Sequence, residues 1–191
     1  MVVHEQHSHR HEPTIGRMPV PTARGHQDSA GMFVRAIEEA DRIVVGRLVL
    51  ELWGSHTAVA HGHVFFPASL PGFLVEQQEQ VVGLLTYTTA DGHLEIVTID
   101  ALRRGRGVGS SLVDAAVRRA RQLGCTRVRL TTTNDNLDAL RFYQRRGFRL
   151  TALRPDAVRE SRRLKPEIPS VGDYGIPITD ELDLERWVAP R

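Results

Sequence analysis

The spacing of hydrophobic and polar positions changes along the chain, and its first half predicts a helix followed by a strand meander. The predicted elements are a strand over 32–37, a helix that opens at 38–41 and ends at Gly54, and strands over 72–76, 81–88 and 93–102. Ile43, Val44, Leu48 and Leu52 form the apolar side of that helix. The turn sequence at 90–92 predicts a hairpin between the last two strands.

The second half alternates between the two-residue spacing typical of strands and the spacing of about 3.6 residues typical of helices. It predicts a strand over 93–102, a helix over 108–123, a strand over 125–132, a helix over 136–146, a strand from Phe148, a helical piece over 156–164 and a last strand over 180–188. Val108, Leu112, Ala116 and Ala120 recur every four residues, which places them on one face of their helix. Because strand–helix–strand units cross over right-handedly, strands 93–102 and 125–132 are expected to be roughly parallel.

Length and composition predict one folded domain. A chain of 191 residues with 41% hydrophobic and 25% charged side chains has the make-up of an ordinary soluble domain with a single core. Residues 1–30 mix His, Pro, Gly and Ser without periodicity, so they are predicted to be a flexible His-rich arm. Residues 31–191 are assigned to the domain, with an insertion over 154–179 between the last two strands.

The formal net charge of +2 conceals a strong asymmetry. Residues 103–163 carry 16 basic and 5 acidic side chains, whereas residues 1–102 carry 6 and 12, and residues 164–191 carry 3 and 6. A basic block of this kind indicates an anionic partner or an extended interaction face. The arginines at 118, 119 and 121 spread around a helix without accompanying aromatic residues, which argues against a nucleic-acid-binding module.

Cysteine and histidine add little chemistry at this stage. Cys125 is the only cysteine, so no internal disulfide can form, and it is interpreted as a packed core thiol. With no apolar run long enough for a signal peptide or a membrane span, the expected location is the cytoplasm, away from membranes. His61 and His63 could be a base or a metal pair, but with no third ligand nearby they are interpreted as surface or core histidines, and no metal is expected.

The sharpest motif is the run Arg103-Arg104-Gly105-Arg106-Gly107-Val108-Gly109-Ser110-Ser111, placed where a predicted strand ends and a helix begins. Glycine lets backbone N–H groups converge, and a helix N-terminus attracts phosphate. A Walker loop does not fit, because no Gly-Lys-Ser/Thr follows. The dinucleotide fingerprint does not fit either, because the glycines run G-x-G-x-G and the next strand ends in three threonines rather than an acidic residue.

The segment Arg104-Gly105-Arg106-Gly107-Val108-Gly109 instead resembles the pyrophosphate-binding Arg-x-x-Gly-x-Gly motif of the GNAT superfamily of acyl-CoA-dependent N-acyltransferases. Residues 136–148 resemble that family's second block, Asn-x-x-Ala followed by aromatic-Tyr and Gly-Phe, at the usual distance after the first. The two blocks and their flanking strands cover residues 81–153. The resemblance implies an α/β (α+β) fold: a mixed, mostly antiparallel twisted sheet, with a central parallel pair splayed at the acetyl-CoA site and helices on both faces.

The resemblance also implies an N-acetyltransferase that passes an acetyl group from acetyl-CoA to a primary amine by direct attack in a ternary complex. Backbone N–H groups of the glycine-rich turn would hold the pyrophosphate, and the edge of strand 93–102 would pair with the amide-rich pantetheine arm. The residues implied in acetyl-CoA binding are Ile99, Asp100, Ala101, Arg104, Gly105, Arg106, Gly107, Val108, Gly109, Ser110, Asn136 and Tyr143.

Amine acetylation needs a base for the amine proton and an acid for the departing thiolate. Glu95 is the candidate base, because strand alternation places it on the face of Val97 and Ile99, where desolvation could raise its pKa. A solvated strand carboxylate is the alternative interpretation. Tyr143 is the candidate acid, by the family's motif tyrosine, and it could equally be a core aromatic, just as Asn136 could be a helix N-cap.

Other functions and partners stay open at this point. Within the enzyme class, the donor could carry a longer acyl group or the acceptor could be an alcohol. Outside it, the chain could be a nucleic-acid-binding module that uses residues 103–163, or a regulatory protein that binds CoA without turnover. The acceptor is expected to be a small-molecule or peptide amine, covered by the loop around Tyr174 and attracted by Asp180, Glu181, Asp183 and Glu185. A homodimer is one possible assembly.

Overall fold

The computed structural model describes residues 26–27, 31–103 and 105–188. The strands in this part of the chain are β1 His26–Gln27, β2 Phe33–Ala36, β3 Ala58–Ala60, β4 His63–Phe65, β5 Gly72–Gln77, β6 Gln80–Ala90, β7 His93–Ala101, β8 Arg127–Thr133, β9 Arg149–Arg154 and β10 Glu181–Trp187. The α-helices are α1 Arg42–Trp53, α2 Val108–Gln122, α3 Leu137–Gln144 and α4 Ala157–Leu164.

Eight strands form one sheet in the order β1-β2-β5-β6-β7-β8-β10-β9, and β3 pairs with β4 in a separate hairpin. Neighbouring strands of the sheet run antiparallel, and β7 and β8 are the parallel exception. Their pairing joins only residues 93–95 to residues 127–129. Within the described residues no later pair joins these two strands, so the sheet opens toward their C-terminal ends. The predicted mixed sheet with a splayed parallel pair is confirmed.

The two faces of the sheet carry different helices. On one face, which we call the α1 face, Val45, Leu48 and Val49 of α1 pack against Leu74 and Leu84. The opposite face, which we call the α2/α3 face, carries the larger apolar cluster, in which α2 and α3 cover the central strands. Helix α2 begins and ends close to the predicted positions because its apolar residues recur at helical spacing, and Gly124 with φ +72° follows its end.

A β-bulge interrupts the alternation of β7. Thr98 lies opposite Thr86 and Ile96 lies opposite Tyr87, so Val97 is an extra residue on β7. An extra residue reverses which side chains share a face on its two sides. The consequence for β7 is that the four residues before Val97 and the four residues after it follow opposite alternation patterns.

Most predicted elements are confirmed, with ends that differ by a few residues. The pattern missed the β3–β4 hairpin, whose strands have only three residues each. Ile43, expected on the apolar side of α1, is instead 76% exposed. Within the segment predicted as a flexible arm, residues 26–27 pair with β2, and the rest of 1–30, including its four clustered histidines, lies outside the described residues.

Candidate active site

The opening between β7 and β8 presents a strand edge that no neighbouring strand covers in the described part of the sheet. On its other side β7 pairs with β6 along its whole length, up to the pair Ala101–Gly83. The predicted pantetheine-binding residues 99–101 lie on this open edge. Ile99 packs its side chain into the α2/α3 core, and the Asp100 carboxylate accepts hydrogen bonds from Trp53 Nε1 at 3.1 and 3.2 Å. These two residues can therefore meet a ligand in the opening only through their backbone.

The glycine-rich turn leads directly from this edge into α2. Gly107 is the N-cap of α2 with φ +86°, and Gly105 has φ +70°, which are conformations that glycine adopts without strain. A Cβ on Gly109 would lie 2.9 Å from Cζ of Phe142, so only glycine lets the aromatic ring lie this close to the helix start. Arg106 is exposed, while the predicted phosphate ligand Arg104 lies outside the described residues. The turn thus presents the first N–H groups of α2 at the mouth of the opening.

Arg146 brings a cation to the same helix end. Its guanidinium lies 3.6 Å from the ring centroid of Phe142, donates to the Phe142 carbonyl at 3.0 Å and donates to Ser110 Oγ in the first turn of α2. A cation at the positive end of a helix is unfavourable by itself and becomes favourable when an anion binds between them. Sequence reasoning did not single out Arg146; the available signal was the arginine pair that precedes Gly147 in the second motif block.

Several other basic side chains of residues 103–163 have partners within the fold. Arg103 donates to the side chains of Gln77 and Gln80, and Arg162 donates to backbone carbonyls of the insertion at residues 168, 169 and 178. Arg119 donates to the Tyr87 hydroxyl. These three arginines therefore cross-link loops and strands of the fold.

Asn136 and Tyr143 lie at the two ends of α3. Asn136 caps the helix, its side-chain oxygen accepting the Ala139 N–H at 3.1 Å, which confirms the N-cap interpretation. Tyr143 is 2% exposed and belongs to the α2/α3 core, with its ring edge-to-face to Phe148 at 5.6 Å. The core-aromatic interpretation of Tyr143 is confirmed, and its motif role as an acid stays a prediction.

Glu95 does not lie where strand alternation placed it. Because of the bulge, Glu95 pairs beside Thr88 while Thr98 and Asp100 pair beside Thr86 and Leu84. These three residues of β7 therefore share the α1 face, and the expectation that Glu95 lies with Ile99 is wrong. Glu95 is half-buried and sits in the paired part of the parallel strands, directly beside Arg129 of β8.

The β3–β4 hairpin brings His61 onto the α1 face of β8 and β10. His61 Nε2 lies 2.7 Å from Thr131 Oγ1 and 3.2 Å from Asp183 Oδ1, and Thr131 Oγ1 donates to Asp183 Oδ1 at 2.7 Å. Arg154 donates to Asp183 Oδ2 from Nε and Nη2 at 3.0 and 2.9 Å. Burial alone raises the pKa of Asp183, but the hydrogen bonds from His61, Thr131 and Arg154 outweigh it and hold the pKa well below its ordinary value.

His61 was interpreted from the sequence as a surface or core histidine, and the structure instead gives it a specific carboxylate partner 122 positions away. No local signal identifies this pair. His61 lies in a Gly-containing hairpin turn with φ +51°, and Asp183 lies in a strand whose acidic residues looked like solubilising charges.

The acidic residues of β10 are used within the fold rather than facing solvent. Glu181 is completely buried and accepts hydrogen bonds from Ser161 Oγ at 2.9 Å and from the His61 backbone N–H at 3.4 Å. Glu185 pairs with Arg127 at 3.3 Å. The predicted role of these carboxylates in attracting a cationic acceptor is therefore limited by partners that already satisfy them.

The insertion contacts the segment between α1 and β3 at one point and helix α3 at another. Lys165, the only lysine of the chain, donates to the Thr57 carbonyl at 2.9 Å and lies 5.5 Å from the Trp53 ring centroid, and burial lowers its pKa. Tyr174 is 63% exposed, and its hydroxyl donates to Asp138 Oδ2 at 3.1 Å, which raises its pKa. The Tyr174 loop thus packs against α3.

The described residues contain neither a cluster that could hold a metal ion nor a helix that could cross a membrane. Their His, Cys, Asp and Glu side chains form no group of three or more arranged to hold a metal ion. None of their helices is long and apolar enough to cross a membrane.

Comparison with known proteins adds independent findings. The model of the acetyltransferase (GNAT) family matches residues 51–148. The uncharacterised Bacillus subtilis (strain 168) protein YdhI is 38% identical over 131 residues, which cover 68% of this chain and 82% of YdhI.

Solved structures agree at the level of the fold. An IAA acetyltransferase from Bacillus cereus ATCC 14579 superposes with a TM-score of 0.63 at 19% identity, covering 82% of this chain and 99% of that one. A GNAT family acetyltransferase from Elizabethkingia anophelis with acetyl-CoA bound superposes with a TM-score of 0.61 at 18% identity, covering 82% and 97%. The family match over half of the chain, together with the YdhI similarity, shows that this chain belongs to the GNAT acetyltransferase family.

Proposed function

We propose that the protein is an N-acetyltransferase that transfers the acetyl group of acetyl-CoA to a primary amine by direct attack in a ternary complex. The observation that carries the proposal is the opening between β7 and β8, with the N-terminus of α2 and the Arg146 guanidinium at its mouth. An open strand edge suits the amides of a pantetheine arm, and a helix N-terminus with an adjacent cation suits a pyrophosphate.

In this proposal the two faces of the opening have different tasks. On the α2/α3 face, Tyr143 donates a proton to the thiolate sulfur as the C–S bond breaks. On the α1 face, a base takes the proton of the attacking amine, and Glu95 is the base expected from the sequence. The residues proposed to hold acetyl-CoA are the backbone of 99–101, the turn 104–110 and Arg146, which contacts phosphate oxygens.

Titration with acetyl-CoA, followed by an acceptor panel scored by release of free thiol, tests the activity. Polyamines, amino acids, aminoglycosides and peptides make up the panel. Binding at micromolar ligand with thiol release for at least one amine is the expected result. Binding without turnover for any acceptor would favour a regulatory CoA-binding protein, and absent CoA binding with steeply salt-dependent binding to DNA would favour a nucleic-acid module.

A matched pair of arginine variants tests the phosphate site. Arg146→Met should weaken acetyl-CoA binding about 10- to 150-fold, because a charge-assisted hydrogen bond contributes about 1.5–3 kcal/mol. Arg145→Met should change it less than twofold, because Arg145 is exposed on the other side of the same helix end. Equal effects of the two variants would show that the charge acts at long range and that Arg146 does not contact phosphate.

Two variants test the proton carriers. Tyr143→Phe should lower kcat more than it raises the Michaelis constant for acetyl-CoA, because only the proton is removed, and an unchanged kcat would remove Tyr143 from the acid role. Glu95→Gln should abolish or shift the acidic limb of the pH–rate profile if Glu95 is the base. A retained limb places the base elsewhere on the α1 face.

A further inference from the structure

We propose that His61 accepts the proton of the attacking amine, with Asp183 as the residue that orients and charge-balances it. The inference rests on the proposed function and names the base that the proposal leaves to the α1 face. It starts from the three hydrogen-bonding groups that the tertiary fold brings together, namely the His61 imidazole, the Thr131 hydroxyl and the Asp183 carboxylate.

The position of the cluster follows from the sheet. Leu130 and Leu184, which pair across β8 and β10, belong to the α2/α3 core, so Thr131 and Asp183 point to the α1 face. Thr131 lies two residues beyond Arg129, the last residue of β8 that pairs with β7. His61 therefore stands at the edge of the opening, on the face opposite Tyr143. Tyr143 would then protonate the leaving sulfur from the α2/α3 face, and His61 would take the amine proton from the α1 face.

The hydrogen bonds determine which ring nitrogen of His61 is basic. Asp183 is ionised, so its Oδ1 only accepts, and the single hydrogen of the Thr131 hydroxyl is donated to it. Nε2 of His61 faces two acceptors, Thr131 Oγ1 and Asp183 Oδ1, and so it must carry the hydrogen. The lone pair of the neutral ring then resides on Nδ1. No hydrogen bond among the described residues engages Nδ1, and the His61 side chain is 16% exposed.

Two carboxylates and one guanidinium surround His61. Asp183 and Glu181 of β10 contribute two negative charges close to the ring and its backbone, while Arg154 of β9 contributes one positive charge on the far oxygen of Asp183. Lys165 lies farther along the same face, on the carbonyl of Thr57. A proton on His61 therefore completes the charge balance of its immediate neighbours.

The step conserves atoms and electrons. The amine lone pair forms the bond to the carbonyl carbon, the C–S bond breaks, and its electron pair leaves with sulfur. The amine proton moves to His61 Nδ1, the sulfur receives the Tyr143 proton, and exchange with water restores both side chains. The products are the N-acetylated amine and CoA with a free thiol.

The central experiment compares His61→Gln with the control His63→Gln, which removes an exposed histidine from the same turn. His61→Gln should lower kcat at least about 100-fold and abolish the acidic limb of the pH–rate profile, while acetyl-CoA affinity and melting temperature stay close to wild type. His63→Gln should keep kcat within about threefold of wild type and should retain the acidic limb. A His61→Gln enzyme with normal kcat and a normal limb would overturn the proposal.

A second variant separates chemistry from folding. His61 has φ +51°, a conformation that glycine adopts freely, so His61→Gly should fold. Added imidazole should restore at least tenfold of its lost rate by occupying the vacated space, and no restoration in a folded variant that binds acetyl-CoA would argue for a purely structural His61.

Nitrogen-15 NMR of the histidine rings gives a readout that does not depend on an acceptor. Wild-type His61 should be the Nε2–H tautomer, and Asp183→Asn should shift the mixture toward Nδ1–H. An Nδ1–H wild-type ring would overturn the role of His61 alone. If wild-type protein with the Nε2–H ring acetylates no amine, the proposed function has failed and the proton-acceptor role fails with it.

Discussion

Two clusters of buried charged side chains lie on different parts of the sheet. They differ in whether the cationic or basic side chain keeps a nitrogen that the fold does not use. At the β2–β5 end, Arg35 donates to both oxygens of Asp41 at 2.6 and 2.8 Å and to Glu76 at 2.7 Å, and Asp41 also accepts the Glu38 N–H at 2.7 Å. At the β8–β10 end, the Asp183 carboxylate accepts hydrogen bonds from His61, Thr131 and Arg154. Both clusters contain a carboxylate whose pKa is lowered, because hydrogen bonds outweigh the opposing effect of burial.

The difference lies in the cation. The Arg35 guanidinium is 1% exposed and directs its donors at acceptors of the fold, and its pKa is raised by its hydrogen bonds to Asp41 and Glu76, so it cannot exchange a proton near neutral pH. His61 uses Nε2 for the fold and keeps Nδ1, which makes no hydrogen bond among the described residues. A buried charge by itself therefore does not indicate a catalytic role. A side chain that keeps an unused nitrogen beside an opening does indicate one.

The largest expected effect on stability comes from Arg35→Met. Removing the guanidinium leaves two carboxylates buried without their counter-ion, which should lower the free energy of unfolding by about 3–5 kcal/mol while kcat changes little. Urea unfolding and initial rates measure the two quantities. Arg47→Met, on the exposed side of α1, is the control and should stay within about 0.5 kcal/mol. A large loss of kcat in a folded Arg35→Met variant would contradict the claim that the Arg35 cluster acts on stability and not on catalysis.

Asp183→Asn should differ from Arg35→Met in its large effect on kcat. The amide lacks the negative charge that balances His61, and its nitrogen cannot accept the hydrogen bonds of Arg154. We therefore expect kcat to fall about 100-fold, or about 2.7 kcal/mol of transition-state free energy. Glu185→Gln, two residues along the same face of β10, is the matched control and should keep kcat within about twofold. Steady-state rates at saturating acetyl-CoA distinguish the outcomes, and equal losses in the two variants would assign the effect to general surface charge.

The carboxylates of both clusters should contribute to the loss of unfolding free energy at acid pH. Asp41 and Asp183 have pKa values below those of an unfolded chain, so each contributes stability that is present above about pH 4 and is lost as pH falls toward its folded-state pKa. Unfolding free energy measured from pH 7 to pH 2 should therefore drop on the acid side. Asp41→Asn and Asp183→Asn should each flatten that drop, and an unchanged slope in either variant would contradict its carboxylate's place in the cluster.

The smallest effect is expected from an exposed ion pair near the first cluster. Glu39 is 94% exposed and lies 3.6 Å from Arg42 one helical turn on. Glu39→Gln should change the free energy of unfolding by less than about 0.5 kcal/mol, because water and salt screen the pair. A loss of unfolding free energy as large as that of Arg35→Met would show that exposed ion pairs stabilise this protein as much as buried ones.

Local patterns were sufficient for most of the fold and for the cofactor side of the site. Helix α2 and its glycine-rich start follow from residues that are adjacent in the chain, since apolar spacing, Gly107 and Gly109 act on their own neighbours. The α3 block, with Asn136 as its cap, is equally local. The face of Glu95 could not be predicted, because a bulge of one residue depends on how β6 and β7 align.

The amino-acid sequence by itself determined the family, the order of elements and the glycine-rich turn for which we propose phosphate binding, because each depends on short-range spacing and backbone conformation. Only the tertiary structure decided which side chains meet across the opening. His61 reaches Asp183 because the short β3–β4 hairpin packs on the sheet and β10 inserts between β8 and β9. Arg146 reaches Ser110 because α3 packs on α2. Such contacts arise from burial summed over the whole domain, which no local segment encodes.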